Sequence, residues 1–135
     1  MAYYTAISTY DVVNDIFLTD PEHAVFATYT IDKDYVSTTD RNGRKWLKEG
    51  WVMALDPSTE KIVPHYTSYG FGVIGVLPGP VSLENEEGTH DEIVGIVVDN
   101  AWLDSDLIFD NGTFGTVTST TISALDKRIV FAKRI

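Results

Sequence analysis

Three histidines, twenty carboxylates and no cysteine set the chemistry open to this 135-residue chain. Without thiols it has no disulfide framework, no thiolate-bound zinc, no iron–sulfur cluster and no catalytic cysteine. His23, His65 and His90 lie too far apart for a two-histidine metal motif, whose ligands sit about 3 to 5 residues apart. Thr89-His90-Asp91 with Ser82 nearby has the residue types of a catalytic triad, yet Ser82 lacks the flanking glycines of a nucleophile elbow. Two acidic runs offer oxygen donors for Ca²⁺: Glu84, Glu86, Glu87, Asp91 and Glu92, then Asp104, Asp106 and Asp110. Neither has the central glycine and closing glutamate of an EF-hand loop. The same carboxylates would form a glycosidase pair only at a separation that sequence does not supply. Gly70-Phe71-Gly72-Val73-Ile74-Gly75 matches GxGxxG, but Pro78-Gly79-Pro80 forbids the helix whose free N–H groups would hold a pyrophosphate. The expectation is a protein that is not an enzyme and needs no metal or cofactor.

Charge narrows the partners. Ten Lys and Arg against twenty Asp and Glu give a net −10, and between Lys61 and Lys127 there is no Lys or Arg. A surface of that sign repels phosphate backbones, which predicts no direct nucleic-acid binding. The acidic excess serves either solubility or a basic partner. Arg41, Arg44, Lys45 and Lys48 surround the turn dipeptide Asn42-Gly43 and read as a solvated loop. No apolar run reaches the roughly 18 residues of a membrane span. The first basic residue is Lys33, so no secretory leader is expected.

The elements that must position these groups are strands. Thr, Val and Ile are abundant and Leu and Ala scarce, a composition suited to pleated sheets. Turn signals recur at Asp56-Pro57, Gly70, Pro78-Gly79-Pro80, Glu87-Gly88, Asp99-Asn100 and Asn111-Gly112, the rhythm of short antiparallel strands in a sandwich or barrel. Residues 51–55 and 61–63 flank a turn as a hairpin. Residues 72–77 and 93–98 are nearly continuous apolar runs and read as buried strands, their glycines marking bulges or close backbone approach. Residues 113–121 fit an exposed strand or a loop, and 129–132 a closing strand. Helical spacing occurs at Val12, Val13, Ile16 and Phe17, ended by Asp20-Pro21, and at 121–127, where Ile122 and Leu125 share a face. Trp51 falls inside a strand and is assigned to the core. Trp46 and Trp102 lie beside turns and are candidates for an oligomer or partner interface.

The first 35 residues contain no glycine and five of the seven tyrosines. They read either as an ordinary first strand or, for 1–20, as an arm that lies on a partner through Tyr3, Tyr4, Ile7, Tyr10, Val13 and Phe17, ahead of a β-rich domain over 21–135.

The order of three segments carries a resemblance. Leu47-Lys48-Glu49-Gly50-Trp51-Val52-Met53-Ala54-Leu55, then Thr59-Glu60-Lys61-Ile62-Val63-Pro64, then Gly75-Val76-Leu77 resemble the head decoration proteins of tailed phages. Ile96-Val97-Val98 with the acidic Leu103-Asp104-Ser105-Asp106-Leu107, and a short helix and final strand after Ile122, continue the likeness to Phe131. The family often has glycine where this chain has Asp99-Asn100, and the first 40 residues match it poorly. The resemblance implies a small β-barrel-like domain (a β-tulip) with little helix. It implies a homotrimer at three-fold positions on the outer surface of the virion, bound to the major capsid protein and cementing the shell against DNA pressure. A β-domain of a phage tail or baseplate, or a receptor-binding module, is the alternative.

Overall fold

The computed structural model describes residues 16–133. Its centre is a closed barrel of five strands: β1 (Val25–Ile31), β3 (Val52–Asp56), β4 (Lys61–Pro64), β5 (Gly72–Val76) and β9 (Glu92–Asp99). Around the barrel they run in the order β1-β4-β3-β5-β9, antiparallel except where β1 meets β4. The shorter strands are β2 (Trp46–Leu47), β6 (Val81–Ser82), β7 (Glu84–Asn85), β8 (Gly88–Thr89), β10 (Ala101–Asp104), β11 (Phe109–Asp110), β12 (Thr113–Phe114) and β13 (Ile129–Ala132). Among the described residues one α-helix, α1 (Ser119–Ala124), leads into β13. The chain is therefore mainly β and barrel-like with little helix, as composition and turn spacing predict.

The β3–β4 hairpin is the expected one. Asp56 closes it by accepting hydrogen bonds from Ser58 N–H (3.0 Å) and Ser58 Oγ (2.8 Å), while Glu60 takes a left-handed φ of 61°. The glycine reading holds for β5. Register slips between Met53 and Ala54 of the partner strand, leaving Ile74 as the extra residue of a bulge. At Gly75 a Cβ would run into the Val97 carbonyl oxygen, so only glycine lets β5 and β9 close the barrel here. No helix follows these glycines, and the GxGxxG match is a strand and its approach.

Two clusters make up the core, and β3 belongs to both. Met53 points into the barrel with Ile31, Leu47, Trp51, Ile62, Leu77 and Ile96. Val52 points outward into a second layer with Val73, Val76, Val97, Leu103, Leu125 and Ile129. Strands covered on both faces need apolar side chains on both, which is why β5 reads as a continuous run. For the run at 93–98 the expectation needs correcting. Only Ile96 and Val97 are buried, and Ile93 is 69 % exposed, because the outer layer does not extend over the start of β9. The helix also differs. It spans 119–124 rather than 121–127, because Thr118 caps it by accepting from Thr121 N–H (3.3 Å). Its inward face carries Thr121 and Leu125, so Ile122 is left 51 % exposed.

Candidate interaction surface

Ile16 and Phe17 are core residues, with Phe17 only 7 % exposed. This corrects both the arm boundary at 20 and the placing of Phe17 among docking side chains: residues 16–20 belong to the domain. Phe17 bridges Leu103 in antiparallel register, Leu18 N–H donates to the Trp102 carbonyl (2.8 Å), and Asp104 N–H donates to the Ile16 carbonyl (2.8 Å). The other edge of β10 pairs in parallel with β13, Trp102 opposite Val130. A small three-stranded layer results, buried on the side of Phe17 and Leu103.

Its other side is the candidate surface. Alternation along β10 turns Trp102 outward, 51 % exposed, between Leu18 on one neighbour and Val130 on the other. Ile122 and Val130 line one shallow groove beside β13, on the side away from β10. Phe26, also exposed, lies with its ring 6.4 Å from that of Phe17. Trp102 is thus an interface candidate in position as well as type. Trp46 is half-buried elsewhere. It pairs with Ser82 in the β2–β6 ladder and lines a hollow with Asp40, Arg41 and Arg44, sharing no neighbour with Trp102. Tyr3, Tyr4, Ile7, Tyr10 and Val13, and the helical spacing at Val12–Ile16, lie outside the described residues apart from Ile16 itself.

Trp51, as expected, is buried. It stacks on Phe109 (centroids 5.1 Å, planes 11° apart) and starts an aromatic band. The band runs one way to Phe114, 4.7 Å from Phe109, and the other way through Tyr66 and Tyr69 to Tyr35 and Phe71. Burial, with the neighbouring Tyr69, pushes the Tyr66 phenol up from its ordinary value.

The side chains with catalytic potential are engaged elsewhere. Asp91 is held by Lys61 (2.7 Å) and Lys33 N–H (3.0 Å), His90 faces Glu92 (3.0 Å), and Ser82 Oγ donates to the Glu84 carbonyl (2.9 Å). No triad assembles from them. The Lys33 N–H, then the Lys61 ammonium, hold Asp91 below the ordinary carboxylate range. Glu84 accepts from Lys45 N–H (3.0 Å), and Asp104 caps Asp106 N–H (3.0 Å). Among the described residues no three His, Asp or Glu side chains converge as metal ligands would.

Sequence reasoning missed one polar cluster. His65 Nδ1 meets Asp110 Oδ1 at 2.6 Å, both residues fully buried. The other Asp110 oxygen accepts from Thr118 N–H (2.8 Å) and Oγ1 (2.9 Å), and Thr121 Oγ1 lies 3.4 Å from the same His65 nitrogen. Burial opposes the Asp110 charge, but the hydrogen bonds from His65 and the threonines outweigh it and hold the carboxyl below its usual range. In a hydrolase triad the hydroxyl and the acid sit on opposite nitrogens of the ring. Here both crowd Nδ1, so the cluster ties β4, β11 and α1 together instead of activating a hydroxyl.

Compared with protein-family models, curated proteins and solved structures, the chain matches none. Among the described residues no helix is long and apolar enough to cross a membrane.

Proposed function

We propose that this chain is a head decoration protein of a tailed phage. In this reading three copies sit around three-fold positions on the outer surface of the expanded capsid. Each binds the major capsid protein and adds no chemistry of its own. One observation carries the docking part: the exposed pair Trp102 and Val130, flanked by the half-buried Leu18, lies on the small layer that begins at Ile16. A docked arm and an apolar patch would then engage one partner side by side. The capsid part rests on the ordered likeness between Leu47 and Phe131. The acidic surface supports a protein partner over DNA.

The direct test mixes the purified protein with expanded, undecorated heads built from the major capsid protein of the phage that encodes this chain. Density at three-fold positions by cryo-electron microscopy is expected. Heads that emerge bare, or with isolated copies away from those positions, would reject the assignment. The alternative, a tail or receptor-binding β-domain, draws on the exposed ends of the aromatic band at Phe114 and Tyr69, which suit stacking on sugars. A saccharide array distinguishes it.

A further inference from the structure

On one side β1 pairs with β9 along its whole length, but on the other it meets β4 in parallel only at Ile31, opposite Ile62. Asp32 N–H donates to the Ile62 carbonyl there (3.0 Å). Backbone groups alternate along a strand, so those of Thr30, Thr28 and Phe26 face this second edge and those of Ala27 and Tyr29 face β9. Because β4 starts only at Lys61, among the described residues the edge from Phe26 to Thr28 has no strand beside it. The two walls diverge into an open cleft of about 580 Å³. Thr28, Tyr29 and Thr30 line one side, and Leu55, Pro57 and Glu60 of the β3–β4 hairpin line the other.

An open edge is a template for another strand, and folded proteins blunt theirs with lysine, proline, bulges or short length. β1 is seven residues long, with no charge, proline or glycine, and its one register slip, between Val25 and Phe26, lies at its start. The outer face beside the edge is uncharged as well: Phe26 is exposed, and so is Ile93, opposite Thr30 on β9. The cleft also decides what fits. A wedge between β1 and the hairpin admits a single chain with nothing paired to its far side, which excludes a strand still embedded in a second copy's barrel. Glu60 is the only charged residue of the lining and the protein carries −10, so an acidic segment is repelled.

We propose that the cleft between β1 and the β3–β4 hairpin takes one extended, non-acidic segment of a partner protein, which adds to β1 as a strand. Main-chain hydrogen bonds to Phe26 and Thr28 supply the affinity, and the segment's side chains meet Leu55 and Pro57. Phe26 continues the edge toward Phe17 and the β10 layer, so the added strand would run from that layer to the hairpin turn. Only the identity of the protein that supplies the segment rests on the capsid reading. The cleft is testable without it.

The test is NMR on the full chain, with three end-blocked peptides as probes: KTVTVT, ETVTVT, and KTVTVT methylated on its backbone nitrogens. In the free protein the Phe26 and Thr28 N–H groups should exchange with solvent about a hundredfold faster, or more, than those of Ala27 and Tyr29. KTVTVT should shift the signals of residues 26–30 and 57–60 saturably, with millimolar affinity or better, and slow exchange at Phe26 and Thr28. ETVTVT should bind more weakly, and the methylated peptide not at all. Thr28→Pro removes only an N–H that faces the cleft, at an edge position where proline is tolerated. It should keep the fold and weaken KTVTVT about tenfold or more, as loss of a hydrogen bond does. Glu60→Lys, on the exposed hairpin turn, should reverse the order of the two unmethylated peptides. Phe26 and Thr28 N–H groups as protected as their neighbours in the free chain would overturn the proposal, because the chain would then fill the cleft itself. So would the absence of a saturable shift up to about 10 mM, binding of ETVTVT or the methylated peptide as tight as that of KTVTVT, an unchanged order with Glu60→Lys, or unchanged affinity with a folded Thr28→Pro. KTVTVT binding by a protein that leaves heads bare would uphold the cleft and reject the capsid reading. Heads decorated normally by a protein that ignores every peptide would do the reverse.

Discussion

His65 and Asp110, 45 positions apart in sequence, share a 2.6 Å hydrogen bond at the junction of the barrel with its outer layer, and neither reaches solvent. Because the folded protein holds the Asp110 carboxyl below its ordinary value of 3.8, the ionised form favours folding. That contribution is fully present at neutral pH and is lost as pH falls below about 4 through the lower folded value. Asp110→Ala should cost about 3 kcal/mol or more, since it strands the buried His65 and Thr118 donors. It should also flatten the acid limb of stability, which urea melts at pH 7, 4 and 3 would show. An acid limb identical to wild type would mean that other carboxylates set it.

Gly75→Ala adds one methyl group where the Val97 backbone cannot move aside without opening the β5–β9 seam. A loss of about 1–3 kcal/mol is expected from this overpacking. Gly95→Ala, on the same pair of strands with open space around it, is the control. Equal losses at both positions would show that strand glycines as such, and not the close approach, set the cost.

Trp102 stands half in solvent on β10, so Trp102→Ala should leave thermal stability close to wild type. If the capsid reading is right, the same change should cost about 2 kcal/mol or more of adhesion, as an interface aromatic does when truncated. Trp46→Ala separates the two tryptophans. A Trp102→Ala protein that decorates heads with wild-type affinity would remove the outward face of β10 from the interface.

Two truncations locate the boundary of the arm. A chain starting at Asp15 keeps Ile16 and Phe17 in the core and should fold with nearly unchanged stability; if the capsid reading is right, it should lose most capsid adhesion. A chain starting at Pro21 loses both side chains and the hydrogen bonds to Trp102 and Asp104. Removing a single large aliphatic from a core costs about 2–5 kcal/mol, so its melting temperature should drop by roughly 10 °C or more. Equal stability for the two would place residues 16–20 outside the fold.

What sequence could reveal followed from local physics. The β3–β4 hairpin, the tight approach at Gly75 and the burial of Trp51 are written in strand and turn chemistry within a few residues. Asn100 adopts a φ of 56°, the left-handed turn conformation that asparagine tolerates. The acidic excess also has a partly local explanation. Asp20, Asp32, Asp40, Asp56 and Asp104 each accept a hydrogen bond from the N–H two residues on, so they shape turns as well as charging the surface.

What stayed hidden depends on contacts distant in sequence. Ile122 looks like the inward residue of its helix. Yet the neighbouring Thr121 goes inside, because its hydroxyl meets the buried Asp110–His65 pair there. Nothing near Pro64-His65 or Phe109-Asp110 announces that pairing. Phe17 has the spacing of a helix, but the edge of β10 offers it a strand partner instead.

The layer built on β10 has a topological consequence. Ile16 lies across from Asp104 on one side, and Ala132 pairs with Asp104 on the other. The first and last parts of the described chain are therefore two strand spacings apart, roughly 10 Å. A linker of a few residues could join position 133 to position 16 without disturbing either ladder. New ends opened in the exposed β3–β4 turn, between Ser58 and Thr59, would then give a circular permutant whose barrel and outer layer keep the strand pairings of the described residues. In this fold, the order in which the chain is read is separable from the arrangement it reaches.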